Sequence, residues 1–469
     1  MKTLFLAWRN LLRNRRRSSM TLSAMVLGFV TIMLFGGYIR DLDYGLQTDF
    51  VQLTGHLQIQ HKDYFYYGGG NPAGYGVRDY ADIVAALRND PGIKPMLAVA
   101  TPILQVGGIA GNFASGVSTA VFVTGTVVDE QNQMREWNEY AFPSLSKRHS
   151  LSGTPPESAV IGTGVARMLQ LCVKLQVPDC KAPTVATDES GPMLAADIAD
   201  LASDGARQAK PAPNAEKSPG GPRIEVLAAN ARGAPNVAAL TVLSAEFQGI
   251  KEIDDVHVGM HLSQAQRLVF GSAPPQVTAI AVQLHQTEQM EDMRRRLREL
   301  LSLRFKNQSL AILDFQTLNP YYGQAKAMFF AIFGFIAILI GAIVLFAVTN
   351  TMTMAVVERT TEIGTLRAIG LKRRDIRQMF VLEGLLLGFA GAVLGIAAAL
   401  VLAAVINRIG LTWLPPGRTE PIPLALRVSG EYSMLLWGAL ALIIVAALSA
   451  IIPSSRATRM NIVDALRHV

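Results

Sequence analysis

Four stretches of the chain are almost wholly apolar: Met20 to Tyr38, Met328 to Thr349, Met379 to Ile406 and Ser433 to Ile452. Each has roughly the 20 residues needed to cross ~30 Å of hydrocarbon as a helix. The pattern predicts a membrane-embedded four-helix domain. The third run is longer and must tilt or protrude. A basic stretch precedes the first run, as in a secretory leader. Its apolar core exceeds the about 7–15 residues of a leader core, and no A-x-A-like site follows before Arg40 and Asp41. We read it as an uncleaved signal anchor.

Between the first two runs the pattern changes to short alternations. His56 to Gln60 predicts a strand, and Tyr64, Tyr66 and Tyr67 followed by Gly68, Gly69 and Gly70 predict a loop. Tyr80 to Arg88 predicts a helix. Pro95 to Thr126 predicts several short strands broken by Gly107, Gly108, Gly111 and Gly116. Glu157 to Gln170 reads as strand then helix, and Arg223 to Leu227 and Ala239 to Val242 as strands. Ser263 to Leu268 and Glu288 to Phe305 read as helices, the second with Arg294, Arg295, Arg296 and Arg298 on a mostly solvated face. Residues 178–222, rich in Pro, Ala, Asp, Ser and Gly, bury too little apolar surface to offset ordering entropy and are expected to form a flexible insertion. The fold expected is α+β, a large domain inserted between spans one and two.

Charge sets the orientation. Lys2, Arg9, Arg13, Arg15, Arg16 and Arg17 precede the first span without an acid among them; Arg359, Arg367, Lys372, Arg373, Arg374 and Arg377 follow the second; Arg456, Arg459 and Arg467 follow the fourth. The positive-inside rule then places both termini in the cytoplasm. The expected partition is a cytoplasmic amphipathic helix over 1–19, spans over 20–40, 328–350, 378–406 and 433–453, and an outer domain over 41–327. A cytoplasmic segment over 351–377, an outer loop over 407–432 and a cytoplasmic tail over 454–469 complete it. Within residues 3–17, Leu4, Ala7, Trp8, Leu11 and Leu12 share one face while Arg9, Arg13 and Arg16 lie off it, which suits a helix in the membrane interface.

Composition agrees. Of 469 residues 50% are hydrophobic and 17% charged, against about 25% charged in soluble domains. The net charge of +7 lies beside the apolar runs, so it reads as a topology signal and not as a nucleic-acid surface. Two cysteines, Cys172 and Cys180, exclude a disulfide framework and a four-cysteine zinc site, and stand equally as one disulfide or as two thiols. No catalytic residue is assigned. The chain has no G-x-x-x-x-G-K-[ST] phosphate loop, no H-E-x-x-H and no G-x-S-x-G. His257 and His261 are spaced like a helical metal pair. Val256, Val258, Met260 and Leu262 alternate around them as in a strand, so no metal site is assigned.

The most informative stretch runs from Val357 to Ile376: a short charged helix stopped by Gly370, then a new helix from near Arg373. Glu383 follows just inside the third apolar run, where an ionised group needs a partner or a route to the interface. Span three carries Gly384, Gly388, Gly391 and Gly395, two small-xxx-small pairs that allow close helix packing, within one bundle or between subunits.

The stretch Glu358-Arg359-Thr360-Thr361-Glu362-Ile363-Gly364-Thr365-Leu366-Arg367-Ala368-Ile369-Gly370 resembles the coupling segment of FtsX/MacB-like ABC transporter permeases. The tail residues Pro453, Arg456, Ala457 and Ile462 to Leu466, and Ala7-Trp8-Arg9-Asn10-Leu11 near the start, are similar to the same family. So are Gly55 to Ile59, Val123-Thr124-Gly125 and Ile161-Gly162 in the outer domain. Phe247-Gln248-Gly249 with Glu252 and Asp254 is similar to its lipoprotein-releasing, LolC/LolE-like branch. The insertion over 178–222 and the lack of a fused ATPase depart from parts of the family.

The resemblance implies a multi-pass protein of the bacterial cytoplasmic membrane with a MacB-like periplasmic domain. Its residues Glu358, Arg359, Glu362, Ile363, Gly364, Leu366, Arg367 and Gly370 would couple to a separate ABC ATPase subunit. It implies that ATP and Mg bind that partner and no cofactor binds this chain. A second permease protomer, identical or different, is implied, with a periplasmic adaptor, a lipoprotein or membrane lipid as further partners. The implied function is mechanotransmission, in which ATPase motion drives the outer domain to extract or export a lipoprotein, a lipid or an amphipathic small molecule. The alternative is an FtsX-like signalling subunit that activates a periplasmic or cell-wall partner without moving cargo.

Overall fold

Long apolar runs have no water to satisfy their backbone, so they close their hydrogen bonds internally as helices. The structure is a computed structural model that describes residues 9, 13, 15–69, 71–142, 148–177, 180, 221–248, 251–414 and 421–459. Among the described residues four helices are long and apolar enough to span a membrane, and the chain is a multi-pass membrane protein.

In chain order, α1 (Arg15–Thr54) leads into β1 (Leu57–His61), α2 (Tyr64–Tyr67) and α3 (Tyr80–Asn89). Then come β2 (Leu97–Asn112), β3 (Val117–Thr126), α4 (Val128–Arg135), β4 (Ser158–Gly162) and α5 (Thr163–Met168). After 181–220 follow β5 (Arg223–Ala229), β6 (Pro235–Glu246), α6 (Lys251–Asp254), β7 (His257–His261) and α7 (Leu262–Phe270). The unit ends with β8 (Ala279–Leu284), α8 (Met290–Arg304), β9 (Leu310–Asp314) and α9 (Phe315–Leu318). The remaining elements are α10 (Pro320–Glu358), α11 (Thr360–Ala368), α12 (Arg373–Ile409), β10 (Thr412–Trp413), β11 (Ile422–Pro423) and α13 (Tyr432–Arg459).

Two compact units result: one of residues 1–47, 320–413 and 421–469, the other of 48–319 with 414–420. The second is α+β. Among the described residues its nine strands run β3-β7-β4-β6-β5-β2-β8-β1-β9, and β2 also pairs with β3. That extra pairing closes β2, β3, β7, β4, β6 and β5 into a ring, with β8, β1 and β9 as a flap. The pairs β3–β7 and β4–β6 are parallel and the others antiparallel. Strand β2 serves both parts: Leu97–Ile103 pairs with β8, and Gly108–Gly111 with β5. Inward residues such as Val123, Ile161, Val226, Leu240 and Val258 are buried in its core.

Several expectations change here. Pro95 to Thr126 forms two long strands, not several short ones, because Gly107 and Gly108 lie inside the ladder. A Cβ on Gly108 would lie 2.6 Å from the Leu227 carbonyl oxygen, so the glycine admits the neighbouring strand. Tyr64–Tyr67 is a single helical turn, not a loop. Arg294 is not on a solvated face; it meets Asp314 at 2.5 Å with both side chains largely covered. Cys172 and Cys180 form a disulfide with Cα atoms 5.8 Å apart. The N-terminal amphipathic segment falls mostly outside the described residues, as does the insertion, of which Cys180, Gly221 and Pro222 are described.

In the helical unit Met25, Phe29, Met33, Val348, Met352, Leu387 and Ala446 fill the core. The glycines of α12 supply close approach within this one bundle. A Cβ on Gly388 would lie 2.9 Å from the Ala446 Cβ, and one on Gly395 2.7 Å from the Phe29 ring. Gly384 faces the Ala446 carbonyl and Gly391 faces Met25. The fourth helix extends past the expected end at 453 to Arg459, with Pro453 inside it. Proline leaves the carbonyl four residues earlier without its helical donor. That carbonyl, of Ser449, accepts from the Thr349 hydroxyl of α10 at 3.3 Å.

Candidate functional site

The segment from Glu358 to Arg377 forms a compact knob at one end of the helical unit. Helix α10 ends because Arg359 leaves helical geometry (φ −105°, ψ 19°). The Thr360 hydroxyl donates to the carbonyls of Val356 and Val357, satisfying groups the helix end exposes. Helix α11 carries Glu362 in its first turn and Arg367 in its last, in the sense its dipole favours. It stops in a Schellman turn. Gly370 takes φ +107°, its N–H donates to the Arg367 carbonyl and that of Leu371 to the Leu366 carbonyl, both at 3.1 Å. Helix α12 starts where the Asp375 carboxylate accepts from the Lys372 N–H at 3.1 Å.

The knob has its own apolar core of Val356, Ile363, Ile376, Met379 and Phe380. Against it lies an ion pair, Arg359 to Glu383 at 3.1 Å, with side chains 7% and 3% exposed. Of the residues expected to couple to a partner, Arg359, Ile363 and Gly364 therefore face inward. Glu383 is satisfied by a partner within the chain and does not reach out to the interface. Glu358, the last residue of α10, is paired with Arg17 of α1, and Glu362 of α11 with Arg13, just before α1, at 2.5 Å. Leu366 and Arg367 are half-buried. The outward surface consists of Thr361, Glu362, Thr365, Ala368, Ile369 and the cations from Lys372 to Arg377. Ile369 is 74% exposed at the tip.

Sequence reasoning missed Ile369 as the apolar tip, and it missed a polar cluster at the opposite end of the same unit. There Asp41 accepts from Arg427 at 2.7 Å, Asp43 accepts from Tyr322 at 2.7 Å and from Lys326 at 3.1 Å, and Tyr44 donates to Glu431 at 2.7 Å. The available signal was an acidic pair directly after an apolar run, with cations far along the chain.

Other motif residues prove structural. Asp254 caps α5 from 90 residues away, accepting from the N–H groups of Thr163 and Gly164 at 2.9 Å and from the Thr163 hydroxyl. A Cβ on Gly162 would lie 2.0 Å from the Asp254 carbonyl oxygen, so Gly162 and Asp254 form one close contact. His257 and His261 are on β7, a strand. Burial, with Arg135 and His149 nearby, holds His257 down to about 4; burial first and Arg135 next do the same for His149. His261 meets the Thr154 hydroxyl at 3.1 Å. Among the described residues no group of three His, Cys, Asp or Glu side chains is placed to hold a metal.

Among the described residues four long apolar helices, with a short capped helix between the second and third, define a multi-pass membrane architecture. Residues 331–462 match the family model described as FtsX-like permease C-terminal, which covers α11 with most of α10 and all of α12. The chain is similar to the ABC transporter permease YtrF of Bacillus subtilis, 36% identical over 146 residues, 29% of this chain and 30% of that protein. It is similar to the macrolide export ATP-binding/permease protein MacB of Brucella abortus, 30% identical over 167 residues, 35% of this chain and 25% of that protein. An ABC transporter permease of Methanocaldococcus jannaschii is 27% identical over 157 residues, 33% of this chain and 38% of its own length. The matches thus span between 25% and 38% of these relatives. Over this region the chain is similar to ABC transporter permeases of the FtsX and MacB type.

Proposed function

We propose that the chain is the membrane subunit of an ABC complex, and that the α11 knob docks on a separate ATPase and passes its motion into the helices. The observation that carries this reading is the knob itself, in the region of family similarity. It is a short helix seated on a small core through Ile363, with the buried Arg359–Glu383 pair at its N-terminal junction and Glu362 paired with Arg13, presenting Thr365, Ala368 and Ile369 outward. A rigidly held tip transmits displacement; a solvated loop would absorb it. The arginine-rich ends support a reading with the knob and both termini in the cytoplasm and the sheet unit outside the bacterial cytoplasmic membrane. ATP and Mg belong to the ATPase, and two permease protomers complete the complex. The cargo proposed is a lipoprotein, a lipid or an amphipathic small molecule, taken up on the outer side. The resemblance around Phe247 and Asp254 favours the lipoprotein-releasing branch.

Ile369→Asp tests the docking surface, because the side chain is exposed and takes no part in the knob's core. The variant is expected to keep its melting temperature and to lose the ATPase on co-purification. Retention of the ATPase at the wild-type ratio would refute the assignment of this tip.

A further inference from the structure

The C-terminal end of α1, residues 48–54, belongs to the sheet unit. A helix ends with carbonyls that have no partner within it. Three of those of α1 are met by side-chain amides from three other elements. Gln283 of β8 donates to the Val51 carbonyl at 3.2 Å, Gln131 of α4 to that of Gln52 at 3.2 Å, and Gln58 of β1 to that of Thr54 at 3.0 Å. Gln283 also donates to the Met134 carbonyl of α4 at 2.9 Å. These donations fix which way each amide points, and they leave the oxygens of Gln131 and Gln283 over. Both oxygens are buried and have no hydrogen-bond partner among the described residues. The same holds for the Thr101 hydroxyl of β2 and the Gln60 amide oxygen of β1.

Strand register puts these groups on one face. Thr101 and Gln58 flank Ala281 of β8, Gln283 follows two residues on, and Gln60 stands beside Ala279. Helix α4 covers that face through Met134, one turn after Gln131. The two alanines leave room between the longer side chains on either side. A buried oxygen without a donor keeps its desolvation penalty, and four together weigh on the order of a domain's whole stability. What satisfies them must donate hydrogens to the amide oxygens and can accept one from the hydroxyl. Water does both, and a buried water makes about three such bonds. A bare cation would also suit oxygens, but none of these is a carboxylate, so its charge would be buried uncompensated.

We propose that this layer binds an ordered water molecule, which donates to Gln131 Oε1 and Gln283 Oε1, accepts from the Thr101 hydroxyl and completes a polar seat for the end of α1. Through it the carbonyl end of α1 is joined by hydrogen bonds to β2 as well as to β1, β8 and α4. The assignment concerns the sheet unit alone and stands whether or not an ATPase docks at α11.

The test uses the full chain in detergent. Thr101→Val removes the hydroxyl and keeps the shape of the side chain. The variant is expected to melt about 2–4 °C lower, because the water loses one of its bonds. Were the hydroxyl an unmet buried group, its removal would raise the melting temperature; a rise, or no change, overturns the site. Melting is then repeated at equal ionic strength in sodium, potassium and choline chloride. A bound cation makes the melting temperature depend on which salt is present, and such a dependence overturns water as the ligand. Should Thr101→Val fail to fold, the wild-type protein decides. A structure at a resolution that shows ordered solvent is expected to place a peak within hydrogen-bond distance of Thr101 Oγ1, Gln131 Oε1 and Gln283 Oε1. A map without that peak overturns the proposal.

Discussion

Replacing Glu383 by leucine leaves the Arg359 guanidinium without this carboxylate at a site where its side chain is 7% exposed. The pair meets at 3.1 Å, against a core of five apolar side chains, Val356, Ile363, Ile376, Met379 and Phe380. Removing one partner of a buried ion pair costs about 3–5 kcal/mol, because the remaining charge keeps its desolvation penalty and loses its attraction. For a unit of this size that corresponds to a fall on the order of 10 °C in apparent melting temperature. Removing both charges, as Arg359→Met with Glu383→Leu, substitutes apolar side chains of similar length. It is expected to recover most of the loss, often to within about 1 kcal/mol of wild type. The assay is the fraction of monodisperse protein after a heating series in detergent, run for wild type, both single variants and the double variant as a cycle. A neutral single variant, or a double variant no more stable than the singles, would refute the buried pair as the clamp on α11. If the clamp also transmits ATPase motion, the double variant will be stable yet uncoupled.

Two further predictions concern the sheet unit. Asp254→Ala removes the carboxylate that accepts three hydrogen bonds at the start of α5, and should cost about 3 kcal/mol or more. Hydrogen exchange should show protection lost first over Thr163–Met168, and unchanged protection there would count against the cap. Burial lowers His257 and His149 to about 4 and His56 to about 3, from an ordinary 6.5. The unfolded chain therefore binds more protons between these values, so stability is complete above pH 6.5 and falls as pH drops toward 4. Melting followed from pH 8 to 4 should show this slope, and His257→Phe should flatten it; an identical slope in the variant would remove His257 from the account.

What the sequence determined by itself was local. Apolar run length specified the four spans, and the Gly370 stop with a fresh start at Arg373 specified α11 between them, because helices close their hydrogen bonds within a few residues. The strand at His257–His261 was legible from alternation, as were β4 and α5. Tertiary structure decided everything that needs a partner distant along the chain. Arg359 has the same charge as the exposed arginines near it, and only the arrival of Glu383, 24 residues later, turns it inward. The Gly384–Gly395 row admitted packing within or between subunits until Ala446, Met25 and Phe29 were placed against it. Gly162 and Asp254 read as separate motif fragments, and their meeting depends on the ring closed through β7. Gly28 and Gly438 are the extreme case: each is read in the sequence as one small residue in an apolar run, and only the placed neighbours, Val344 and Ile340 against Gly28 and Met33 against Gly438, show that a side chain there would collide.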